Sequence, residues 1–199
     1  MAGSKITIDD IPIEQIDRAT LRERIIAIPQ DAVFLPDGCT IKDNLDPFHM
    51  ATENECISVL AKLKLAALAP QHEDLLAPLK ADQLSGGQKK LFSLARSILR
   101  RVVRSRISTL HVSTYGGVLL LDEIGSGVDT STERLMQDVI SKEFADYTVI
   151  SVVHNLDLVS QFFDRVVVMD EGAIVESGTP DDLLDIQGGW FRDLVQDSR

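Results

Sequence analysis

The chain has 199 residues, 44% of them hydrophobic, enough to bury a sizeable core within one compact domain. Its formal charge of −11 repels nucleic acid, its N-terminus has no secretory h-region, and no apolar run approaches the ~18 residues of a membrane span. Only Cys39 and Cys56 are present, without C-x-x-C spacing, so they read as free thiols of a reducing compartment.

In chain order, residues 5–11 (KITIDDI) alternate apolar and polar side chains and predict a half-buried strand. A short helical piece around residues 19–24 leads to a second strand, IIAI at 25–28, which Pro29–Gln30 ends because proline cannot donate to a ladder. Thr52 and Glu55 form a capping-box pattern that opens a helix with Cys56, Ile57, Leu60 and Leu63 at helical spacing. Another helix is predicted from Gln88 to about Arg101, with Leu91, Phe92, Ala95, Ile98 and Leu99 on one stripe. This middle section reads as a helical subdomain. The basic stretch 102–117 lacks a clear period and reads as a surface insertion, its Arg104 and Arg106 solvated or available to a partner.

Strand and helix signals then alternate. VLLL (118–121) and YTVISVV (147–153) read as fully buried strands. Between them Thr130 and Glu133 are expected to cap a helix carrying Leu135, Met136, Val139 and Ile140. A helix through Leu158 and Phe162 follows, then two strands around a tight turn at Glu171–Gly172. Thr179–Pro180 starts a last helix, with Trp190 as a packing residue near the C-terminus. Strands alternating with helices predict a parallel α/β sheet.

Two features carry chemistry. Asp122 and Glu123 end a strand of large aliphatic residues, and ligands of open α/β sheets bind beyond such carboxyl ends. Pointing opposite ways on the pleat, one acid would hold Mg²⁺ while the other polarises a water. On this pair alone, an ordinary strand end with solvated acids is the simpler reading. Ser85, Gly86 and Gly87 stand just ahead of a helix, whose first N–H groups lack internal partners and carry partial positive charge. Such glycines admit an anion close to the backbone. A serine-capped helix with a flexible entry is the alternative, and the Asp-Glu strand further on strengthens the anion reading.

LSGGQ (84–88), VLLLDE (118–123), SGVD (126–129) and His154 after a strand resemble, in order and spacing, the nucleotide-binding domain of ABC transporters. IPQ (28–30) falls where that family's Q-loop lies, and TIKDNLDPF (40–48) and VMDEGAIVESGTPDDLL (168–184) resemble its multidrug-resistance (C) subfamily. The resemblance covers essentially the whole chain. It implies an incomplete P-loop NTPase-type, RecA-like sheet: residues 1–40 as the first part of the α/β core, 41–101 as an inserted helical subdomain with the signature motif, and 102–199 as the rest of the core. It further implies ATP and Mg²⁺ as ligands. Asp122 and Gln30 would attend Mg²⁺, Glu123 would be the general base, and His154 would contact the γ-phosphate. Gln30 would also report to the transmembrane part. Ser85, Gly86, Gly87 and Gln88 would bind nucleotide, and Asp129 would lie at a dimer seam. His49, His72 and His111 match no family position. Neither do the cysteines.

The family's phosphate loop, G-x-x-x-x-G-K-[ST], does not occur in these residues. The resemblance therefore implies the C-terminal two-thirds of a nucleotide-binding domain, whose LSGGQ faces ATP held by a second such domain. The expected partners are that domain and transmembrane domains, at the cytoplasmic face of a membrane, with no nucleic acid. The isolated chain is expected to be soluble in the sense of lacking a span, yet poorly so because sheet faces lie bare. It is expected neither to hydrolyse ATP nor to bind it tightly. The alternatives are a truncated, non-hydrolysing partner and a soluble ABC ATPase of DNA repair or translation, the latter disfavoured by the charge. Within the family pattern, Ile124–Gly125 stand where small residues such as Ala-Thr are usual, Gly127 softens the D-loop, and Asn155 replaces a frequent arginine.

Overall fold

The computed structural model describes residues 6–108 and 116–197 and shows a mixed α/β protein built on a parallel sheet. The chain opens with two short antiparallel strands, β1 (Thr7–Ile8) and β2 (Ile11–Pro12). The single strand expected over 5–11 is thus a tight hairpin, because Asp9 and Asp10 both take positive φ and reverse the chain. Helix α1 (Arg18–Arg24) is capped by Asp17, which accepts from the Thr20 amide at 3.0 Å, and runs straight into β3 (Ile25–Ile28).

The middle section is helical, as expected. Helix α2 (Ile41–Leu45), which the sequence reading does not anticipate, opens on a Thr40–Asp43 capping box. Helix α3 (Glu53–Lys62) opens on the expected Thr52–Glu55 box. Helix α4 spans Gly86–Ser108, so residues 102–108 continue the helix instead of starting a surface insertion. Val103 is buried on its inner face, and Arg106 pairs with Glu55 at 3.1 Å and donates to the Met50 carbonyl. The rest of the expected insertion, with His111, lies largely outside the described residues.

The second half supplies β4 (Val118–Asp122), α5 (Thr130–Glu143), β5 (Thr148–Val152) and α6 (Val159–Phe162). A hairpin of β6 (Val166–Asp170) and β7 (Ala173–Gly178) turns at Glu171 and Gly172, both at positive φ. Helix α7 (Pro180–Asp185) carries the expected proline in its first turn. It is not the last helix: α8 (Trp190–Asp197) follows, its first amides held by Glu176. There Phe191 is the buried aromatic, and Trp190 is half exposed, contrary to its expected packing role.

Strands β3, β4 and β5 form one parallel sheet, with Ile28 paired to Leu121 and Asp122 to Val152. Ile26, Ile28, Leu119 and Leu121 are buried in a core shared with Phe92, Ile98, Met136 and Ile140. Helix α4 packs on that face, and α5 contributes Met136 and Ile140 to the same core. The opposite face presents Leu120, Ile150 and Val152, the last two more than half exposed. The expected double burial of these strands therefore holds for one face only, and the bare apolar sheet face anticipated above is present. A second, smaller core gathers Val159, Val168, Leu183 and Phe191.

Gly117 sets the entry to β4. A Cβ there would collide with the Arg24 carbonyl and sit 2.7 Å from the Tyr147 ring. Gly117→Ala is expected to destabilise the fold by about 1–3 kcal/mol through overpacking, read as a lower urea midpoint at an unchanged m-value. Both cysteines are free, and burial pushes the Cys56 thiol up to about 11, which keeps it protonated and unreactive at neutral pH.

Candidate active site at the carboxyl edge of the sheet

Three parallel neighbours end at one edge, so whatever follows them is brought together. Gln30 lies two residues beyond the last paired position of β3, His154 two beyond that of β5, and Glu123 follows the Asp122 pairing directly. Their side chains meet. Gln30 Nε2 donates to Glu123 Oε2 at 2.8 Å, and His154 Nε2 lies 2.6 Å from Glu123 Oε1. The imidazole is 70% exposed but the carboxylate only 21%, so the acid is shielded while the histidine faces outward.

Two of the three are held from behind. The segment after Gln30 is pinned by Arg96, which donates to the carbonyls of Val33 at 2.8 Å and Asn44 at 2.7 Å. Asn44 in turn accepts from the Leu35 amide. Burial lowers the pKa of Arg96, and its guanidinium lies against Phe34 and Phe92. Glu123 occupies the left-handed region at φ 49, unusual for a residue with a Cβ. Its amide still donates to Val152, and its carbonyl accepts from Lys90 Nζ at 3.0 Å. The same ammonium donates to Ser126 at 2.5 Å. A lysine one turn into α4 thus fixes the loop that carries the acid.

Asp122 sits on the same side of the pleat as Leu120 and is exposed on the uncovered face, not in the Gln30–Glu123–His154 trio. Among the described residues no group of three His, Cys, Asp or Glu could hold a metal. One exposed strand-end carboxylate nevertheless suits Mg²⁺, which takes one or two carboxylates and fills its shell with phosphate oxygens and water.

At the start of α4, Gln88 N donates to Ser85 Oγ at 3.2 Å while Ser85 N donates to Gln88 Oε1 at 2.9 Å. This reciprocal cap leaves the serine hydroxyl hydrogen free to donate outward. The Gly86 and Gly87 amides occupy helix positions with no intrahelical acceptor. A Cβ at Gly86 would meet nothing within 4 Å, and one at Gly87 would make only ordinary contacts with Thr132 and Val128. Packing within this chain does not require glycine at either position.

Asp129 turns out to be the N-cap of α5, where Thr130 and Glu133 were expected. It accepts from the Thr132 amide at 3.0 Å and from the Ser131 and Thr132 hydroxyls at 2.5 and 2.6 Å. The two hydroxyls, then the amide, hold its carboxyl well below the usual carboxylate range. Glu133 is instead buried, with Asn155 Nδ2 donating to it at 2.6 Å. A cleft of about 400 Å³ opens beside the trio, lined by Glu123, Ser126, Glu133, Gln137, Ser151 and His154. His49 and His72 form surface contacts with Asp43 and Glu53. Lys90 and Glu133 are the site residues that the sequence pattern does not flag as such; Glu133 reads there only as part of a helix cap.

The family model described as ABC transporter matches residues 2–103, just over half of the chain. A similar curated protein is the ABC transporter FGM5 of Gibberella zeae, 50% identical over 192 residues, which are 96% of this chain and 13% of that protein. The ABC-type transporter braE of Annulohypoxylon truncatum is 47% identical over 95% of the chain and 13% of its own length. Multidrug resistance protein mrp-7 of Caenorhabditis elegans is 34% identical over 99% of the chain and 12% of its own length. The chain thus spans a small part of each relative. No helix among the described residues is long and apolar enough to cross a membrane.

Proposed function

The chain belongs to the ABC transporter family, whose members bind ATP, and we propose that it is the signature- and acid-bearing part of an exporter's nucleotide-binding domain. One observation carries this reading. Gln30 and His154, from two different strands, converge on the Glu123 carboxylate at the edge where α/β sheets do their chemistry.

In the proposed reaction, Glu123 takes a proton from the water that attacks the γ-phosphorus, as the bond to the departing ADP oxygen breaks. The Gln30 amide orients the acceptor carboxylate. His154 Nε2 faces the other carboxylate oxygen, and in this reading it contacts the γ-phosphate and carries a proton onward to solvent. Mg²⁺, when bound beside Asp122, supplies charge neutralisation on the phosphates. Asp129, which caps α5, would stand at the seam between two paired domains.

The signature serves a different nucleotide. Ser85 and the Gly86 and Gly87 amides are free to meet an anion from outside the chain, and no Gly-Lys-Ser or Gly-Lys-Thr occurs in these residues. Their proposed ligand is the triphosphate of ATP gripped by a second nucleotide-binding domain. Coupling to transport then runs through transmembrane domains of the assembly, at the cytoplasmic face of its membrane.

The test is a crosslink. In the complete transporter, Ser85→Cys should form a disulfide with a cysteine placed in the opposing domain's phosphate loop, in the ATP-bound state and not after hydrolysis. A crosslinking yield indifferent to nucleotide overturns the reading.

A further inference from the structure

Burying a carboxylate is costly unless specific dipoles or donors replace its water. Glu133, in the first turn of α5, is only 7% exposed, and an isolated acid could serve the helix end equally well from solvent. Its surroundings explain the burial. On one side Asn155 Nδ2, next in sequence to His154, donates to Oε2 at 2.6 Å. On the other, a Cβ at Gly125 would collide with Oε1 and lie 3.0 Å from Cδ. Gly125 stands two residues after Glu123. A single carboxylate therefore touches the loop that carries the acid and the loop that carries the histidine, behind the point where their side chains meet at 2.6 Å.

We propose that Glu133 is a positioning residue, its buried carboxylate clamping the loop after β4 to the loop after β5 and so setting the Glu123–His154 contact. The proposal rests on the roles given above to those two residues. It adds a requirement they do not contain. Loss of the clamp should leave each catalytic side chain in place chemically but free to drift, and misplacement by about 1 Å can lower turnover about 10²-fold.

Asn155 is exposed, so Asn155→Ala removes one arm of the clamp without opening the core. Glu133→Gln keeps an oxygen that can still accept from Asn155, whereas Glu133→Ala keeps nothing. Hydrogen exchange, read by mass spectrometry on the complete transporter without nucleotide, should accelerate about tenfold in residues 123–128 and 153–157 for Asn155→Ala and Glu133→Ala. Glu133→Gln should stay near wild type, and the β6–β7 hairpin should not change in any variant. In the same transporter Asn155→Ala should lower kcat about tenfold with the KM for ATP unchanged. Unchanged exchange in both loops overturns the clamp. So does acceleration spread over the whole domain, or loosened loops with kcat intact. Because the exchange measurement involves no ATP chemistry, its failure is distinct from failure of the catalytic reading, which would appear as full turnover in a Glu123→Gln transporter.

Discussion

Glu123→Gln is expected to lower ATP turnover of the complete transporter by about 10³-fold while leaving ATP binding intact. The substitution preserves side-chain shape, and the amide oxygen can still accept from Gln30. It removes the carboxylate proposed to take a full proton from the attacking water, and it removes the charge opposite His154. The measurement is single-turnover hydrolysis alongside nucleotide retention. Turnover within a few-fold of wild type would assign the base elsewhere. A parallel loss of ATP binding would recast Glu123 as a structural strut for the loop that Lys90 holds.

Gly86→Asp should have the second-largest effect, and it separates ligand from fold. Space around that position is open, so the side chain fits without displacing anything in this chain. An acid in the first turn also suits the helix end, worth about 0.3–1 kcal/mol of added helix stability. Folding should therefore be unharmed or slightly improved, by thermal unfolding. The new carboxylate nevertheless points its charge at the proposed triphosphate and competes for the amides meant to receive it. Turnover should fall about 10²-fold or more, comparable to loss of a preorganised anion donor. A transporter that works normally with aspartate at 86 would show that no phosphate approaches this helix end.

The fold was legible where local chemistry and tertiary demand agree. Strand β3 ends at its proline, the Thr52–Glu55 box opens α3, and the Glu171–Gly172 turn joins β6 to β7 as its residue types require. The trio at the sheet edge was legible from motifs, although its geometry was not, since neither the φ of Glu123 nor the grip of Lys90 leaves a trace in composition. Errors arose where two local signals competed. Asp129 and Thr130 both make good caps, and the acid won because two neighbouring hydroxyls also reach it. The basic run after Arg101 hides its helical period behind charge, yet Val103 keeps the inner face. Apolar strands read as buried on both sides, because aliphatic composition cannot reveal whether the second face has a cover. Gly125 and Asn155 stood out only as departures from a family pattern; both prove to lie against the same buried carboxylate.

The Lys90 ammonium has a mechanical consequence. It is rooted one turn inside the helix that begins with the two glycines, and it grasps two carbonyls of the loop behind the acid. If those features attend different nucleotides, as proposed, the sites are yoked like two ends of a rocker. A shift of the loop as one phosphate leaves would then strain or break the Lys90 contacts, giving the cradle around the other phosphate a direct mechanical link to that event.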